Sequence, residues 1–195
     1  MIAKASNLYK RGLAAIRPWD GIAPLLIRLF LATFLIEAGW RKFAHFEGTV
    51  GFFDTLGIPL PAMAAALAGL AEFGGGILIL VGLATRLAAV PLLFTMLVAG
   101  YTAHWDHGWQ TVSDASLWTA NERVLEADEK KKIIRTMVRE HPDSKWLTST
   151  GRVTILNNGI QFAATLFAML LSLLFTGGGR YTSADYWICR QLKLH

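Results

Sequence analysis

Apolar residues run through this chain in four blocks, separated by short turns and one long polar interval. The first block covers Ile22 to about Trp40, the second Ala62 to Leu83, the third Leu87 to His104 and the fourth Thr154 to Thr176. A helix rises about 1.5 Å per residue, so about 20 apolar residues cross a hydrocarbon layer roughly 30 Å thick. The blocks meet that length. The pattern predicts an all-α integral membrane four-helix bundle with an extramembrane helical insertion between the third and fourth spans.

Chain punctuation agrees. Pro24 and Pro91 fall in the first turns expected of the first and third spans, where a missing N–H costs little. Gly57, Pro59 and Pro61 stop and restart the chain before the second span. Ala84-Thr85-Arg86 is so short a connection that the second and third spans must lie antiparallel. Tyr101, Trp105 and Trp109 form an aromatic belt at the end of the third.

From Gln110 to Arg152 the composition turns polar, with eight bases and seven acids. Thr119-x-x-Glu122 reads as a capping box for a helix to about Arg139, with acids early and bases late, as the helix dipole favours. Ile133, Ile134, Met137 and Val138 give that helix an apolar side. The chain thus divides into an amphipathic N-terminal segment (1–21), three spans (22–109), the insertion (110–153), a fourth span (154–176) and a tail (177–195).

Composition sharpens the class. The chain is 53% hydrophobic and 17% charged, against about 25% charged in ordinary globular domains. The formal charge of +5 is not a nucleic-acid footprint. Lys4, Lys10, Arg11 and Arg17 precede the first span, and Arg180, Arg190 and Lys193 follow the last. That places both termini of a multi-pass membrane protein in the cytoplasm, and the insertion outside. The insertion's own bases oppose this, but long segments translocate largely regardless of charge. Met1 to Arg17 lacks a signal-peptide core and reads as a surface helix, leaving the first span an uncleaved anchor. Cys189 is the single cysteine, so no intrachain disulfide forms.

Candidate chemistry lies in the polar residues within the apolar blocks. Glu72 sits near the middle of the second span, beside Gly74-Gly75-Gly76, which lets another helix approach. Counting depth along the helices makes Arg28 its expected partner, either as a static ion pair or as a protonatable centre. Glu37, Lys42, His104, Asn157, Asn158 and Gln161 fall near one outer level and read as a shared mouth or as ordinary solvated helix ends. His104-x-x-His107 has metal-compatible spacing, with interfacial histidines hydrogen-bonded to backbone or water as the alternative. Asp106, Glu37 and His45 would join a metal only if the loops fold over. Arg86 would anchor the inner turn at the headgroups. No Walker loop, dinucleotide-binding pattern, haem-attachment motif or CxxC is present, and no catalytic residue is assigned.

Several stretches together resemble DoxX-type membrane proteins. They are Arg28-Leu29, Ala38-Gly39-Trp40-Arg41-Lys42-Phe43, Leu56-Gly57-Ile58-Pro59, Glu72-x-x-Gly75-Gly76, Val81 to Ala89, and the tail from Gly178 to Asp185. The long insertion is more similar to the HvfX branch, associated with copper-binding modified peptides. The resemblance implies a four-helix inner-membrane fold and a link to copper or redox stress. It points to an accessory protein in maturation, handling or export of such a peptide, with the peptide or its maturation enzymes as partners beside the lipid bilayer. Two alternatives stay open. One is a small membrane subunit of a quinone-linked oxidoreductase, making the cofactor quinone rather than copper. The other is a scaffold, or a transporter that would have to be a homo-oligomer.

Overall fold

A computed structural model describes residues 10, 14–15 and 17–193. The amphipathic segment expected over Met1 to Arg17 lies largely outside them. The described residues are helical and contain no strands, only an isolated antiparallel bridge between Val112 and Leu156. The helices are α1 (Ile22–Ala44), α2 (Phe46–Thr55), α3 (Pro61–Val81), α4 (Thr85–Ala99), α5 (Glu122–Glu140), α6 (Ser144–Leu147), α7 (Gln161–Thr176) and α8 (Ala184–Gln191). A five-residue π-helix, Gly100–His104, extends α4, and a short 3-10 turn, Trp105–His107, follows it.

Arg17–Ala44, Pro61–Val81 and Thr85–His107 are long and apolar enough to cross a membrane. The fourth block is shorter than its sequence suggests. Helix α7 begins at Gln161, not Thr154, and has 16 residues, or about 24 Å at the usual helical rise. Residues 155–161 are instead held by backbone bonds to 108–113, including those from Asn157 and Asn158 N–H to the Thr111 carbonyl. Four further boundaries differ. Helix α1 runs on through Lys42 to Ala44, and the loop expected after it contains α2. Pro91 lies inside α4 because that helix starts at Thr85. The cap of α5 is Asn121, whose side chain accepts from Val124 N–H, not Thr119.

The chain divides into two compact units, Met1–Thr95 with Leu166–His195, and Met96–Thr165. In the first, α1 packs antiparallel against α3, and α2 packs against the part of α3 beyond the end of α1. Small residues set the approach. A Cβ on Gly39 would lie 2.7 Å from Phe73 Cα, and one on Gly76 would lie 3.0 Å from the Ile36 nitrogen. Gly75 faces Leu92 of α4. Gly74 faces open space, so only two of the three glycines serve the close packing expected of them.

Burial is inverted relative to a water-soluble fold. Leu87 is 75% exposed and Phe94 67%, while Arg28 and Glu72 are 2% and 5% exposed. Apolar side chains facing outward are what a hydrocarbon solvent requires.

In the second unit the buried face of α5 is Val124, Ala127 and Lys131. The apolar side expected at Ile133 and Met137 is exposed. Lys131 donates to the Ser113 carbonyl and pairs with Asp128, which also holds Lys132.

Candidate functional site

The first polar centre is built around Arg28. Its Nε donates to the Ile79 carbonyl at 2.7 Å and its Nη2 to that of Leu80 at 2.7 Å. Its Nη1 donates to the carbonyls of Gly178 at 2.7 Å and Thr182 at 3.0 Å. The guanidinium therefore satisfies carbonyls at the end of α3 and in the tail before α8. The next turn is tied from the other side. Asp185 accepts from the N–H groups of Ala84 at 2.6 Å and Thr85 at 2.9 Å, while its own N–H donates to Gly82. Gly82 has φ +72°, and a Cβ there would meet Arg28 Cζ at 2.6 Å, so conformation and space both demand glycine. Arg86 works similarly, donating to the Phe175 carbonyl at the end of α7.

The expected Arg28–Glu72 pair does not form. Gly39 lies against Phe73 and Gly76 against Ile36, and this antiparallel register puts Arg28 beside the last turn of α3. The bonds of Arg28 to Ile79 and Leu80 hold the guanidinium seven to eight residues along α3 from Glu72, about 11 Å at the usual helical rise. The partner of Glu72 is Lys42, with Nζ to Oε2 at 2.5 Å. The Lys42 side chain is 22% exposed and that of Glu72 7%. Phe73, next to Glu72 in the chain, lies tilted against Trp40 and edge-on to Phe43, the neighbour of Lys42. Glu37 pairs with Arg41 on the exposed side of α1 and takes no part in this centre.

The second unit holds a different polar cluster. Asn157, 2% exposed, donates to the carbonyls of His107 at 2.7 Å and Gln110 at 2.8 Å, and accepts from Arg123 Nε at 3.2 Å. Gln110 bridges within its own loop to Asp114 and Thr119. Gln161 accepts from Thr111 N–H at 3.3 Å. His104 and His107 both place Nδ1 on the Asn158 carbonyl, at 2.8 and 3.1 Å. A carbonyl only accepts, so both rings donate through a proton on Nδ1. No group of three or more His, Cys, Asp or Glu gathers at metal spacing among the described residues.

Sequence reasoning missed Asp185, Gln110, Asn121 and Arg123. Asp185 stood within the tail motif without a role, Gln110 lies in an irregular loop, and Asn121 and Arg123 open α5, where Thr119 was expected as the cap.

Comparisons with known proteins agree with the membrane reading. Residues 23–105 match the family model described as DoxX. Inner membrane protein YphA of Escherichia coli is 35% identical over 91 residues, covering 47% of this chain and 64% of that protein. Inner membrane protein YqjF of the same organism is 36% identical over 83 residues, 43% of this chain and 58% of that protein. CatD of Bacillus subtilis, named as a candidate oxidoreductase, is 37% identical over 78 residues, 40% of this chain and 57% of that protein. The chain thus spans less than two thirds of the length of these relatives. No solved structure matches it. Residues 23–105 are thus similar to DoxX proteins, and the similar proteins include inner membrane proteins.

Proposed function

We propose that this chain is an inner-membrane accessory subunit of a redox system, with the Lys42–Glu72 pair as its working site. The observation that carries this reading is the pair itself, a donor and an acceptor held within apolar helices, with the Trp40, Phe73 and Phe43 ring cluster at neighbouring positions of the same helices. Charged residues in such segments are costly and mark functional sites by default. The fit is to a small apolar molecule bearing a carbonyl oxygen, such as a quinone headgroup. Lys42 would donate to the carbonyl, Glu72 would hold the lysine charged and oriented, and the rings would flank the headgroup. A bound quinone would supply two-electron redox chemistry; the residues supply binding and orientation. In this reading α7 completes a four-helix bundle with both termini cytoplasmic.

The test is quinone binding by the full chain in nanodiscs. Wild type loaded with excess quinone should retain it after washing, and Lys42→Met should retain at least tenfold less. Equal retention by both, or none by wild type, contradicts the reading.

A second reading, handling of a copper-binding peptide as the HvfX resemblance implies, is favoured by the two histidines. Their Nδ1–H groups are fixed on one carbonyl, as in metal-ligating histidines whose far nitrogen is oriented by backbone. Two nitrogens do not complete a site, so the peptide would bring the remaining ligands. Cells lacking the protein should be copper-sensitive and rescued by wild type but not by the His104→Ala/His107→Ala double variant. Full rescue by that variant contradicts this reading.

A further inference from the structure

The second unit contains an open surface hollow of about 490 Å³ between the end of α5, α6 and residues 151–153. Its lining includes Arg135, Arg139, Lys145 and Arg152, the hydroxyl residues Ser144 and Thr148, and the apolar Val138 and Val153. No acid lines it.

The charge arrangement along α5 is uneven. Lys130, Lys131 and Lys132 are each ion-paired, the first with Glu126 and the other two sharing Asp128. Arg135 and Arg139, further along the same helix, form no ion pair among the described residues, and neither do Lys145 and Arg152. Arg135 donates to the Val153 carbonyl, which fixes one wall. The first half of the helix supplies its own counter-charge. The second half brings two arginines to a hollow where the following segment adds two more cations.

The geometry points to an anion-binding site, occupied by a ligand carrying phosphate groups. A single carboxylate would leave most of the positive charge unanswered. A phosphate ester or diphosphate offers two or more charges and several acceptor oxygens to planar guanidinium forks. The volume lies within the range of small-molecule sites, and phosphate alone would leave the Val138 and Val153 side uncovered. That side suits the organic part of the ligand. Two sources present this chemistry, a soluble phosphorylated molecule and the phosphate headgroup of an anionic lipid. The site is independent of the Lys42–Glu72 reading.

The test uses the full chain in nanodiscs of phosphatidylcholine alone, with inorganic pyrophosphate as probe. Wild type should bind it with an affinity that falls as salt rises. Arg139→Gln/Arg152→Gln should weaken binding at least tenfold, while Lys130→Gln, which removes an acid-paired lysine, should leave it within twofold. Circular dichroism confirms that the variants fold. Nanodiscs containing phosphatidylglycerol separate the sources: suppressed pyrophosphate binding identifies the headgroup as occupant, and unchanged binding identifies a soluble one. Failure of wild type to bind pyrophosphate in neutral nanodiscs, or equal binding by the double variant, overturns the proposal.

Discussion

Arg28 and Asp185 serve opposite ends of one helix-to-helix turn. Arg28 donates to the closing carbonyls of α3, while Asp185 accepts from the opening amides of α4. Each charge matches the dipole end it faces. This explains how an arginine only 2% exposed is tolerated: its nitrogens spread the charge over four carbonyls. The tail between Gly178 and Asp185 is thus a clasp on the turn.

Replacing Arg28 with Lys should break the clasp, because a single ammonium cannot reproduce the planar fork. Loss of two charged hydrogen bonds should cost about 3 kcal/mol or more. Reversible unfolding in bicelles measures this, and an unchanged unfolding free energy would show that the clasp contributes nothing.

Asp185→Ala removes a cap from α4 and should cost about 1–2 kcal/mol. Asp185→Asn keeps an acceptor and should lose less. The same unfolding assay ranks the two, and equal losses would contradict a capping role.

Thr85 is fully buried, and its hydroxyl has no hydrogen-bond partner among the described residues. Removing an unsatisfied polar atom while keeping the shape is neutral or favourable. Thr85→Val should leave the melting temperature unchanged or raise it; a clear drop would reveal a partner for that oxygen.

How legible this was in the sequence depended on whether periodicity or register was in question. The apolar blocks, the antiparallel α3–α4 turn and the close approach at Gly76 followed from residue pattern alone. The partner of Glu72 did not, because depth counted from block ends assumes spans of equal reach, and α1 runs on to Ala44. The fourth span was overlong for a related reason. Ile155, Leu156 and Ile160 read as a continuation of the apolar block, yet Asn157 and Asn158 spend their backbone N–H groups on Thr111. The two histidines were visible as a pair, but the carbonyl they share lies more than fifty residues further along the chain.

Acid should loosen the insertion. Hydrogen bonds from Lys131 and then Lys132 hold the Asp128 carboxyl below its ordinary value, and the Ser116 hydroxyl and N–H do the same for Asp114. A depressed folded pKa means that the unfolded chain takes up protons first. The stabilisation is present above the ordinary Asp value of about 3.9 and is lost as pH falls through the folded values. Hydrogen exchange across residues 110–140 should therefore accelerate as pH drops below about 4, after correction for intrinsic rates. Asp128→Asn should flatten that dependence, and an identical profile would contradict the assignment.

The most direct test of the account is a double-mutant cycle on Lys42 and Glu72, read as unfolding free energy in bicelles. Lys42→Met and Glu72→Leu should each be destabilising alone, because each strands a buried charge. The double variant should recover much of the loss, with a coupling of about 1.5 kcal/mol or more. A parallel cycle on Arg28→Met and Glu72→Leu should be additive within about 0.5 kcal/mol. Additivity between Lys42 and Glu72, or coupling between Arg28 and Glu72, would contradict the pairing on which the proposed site rests.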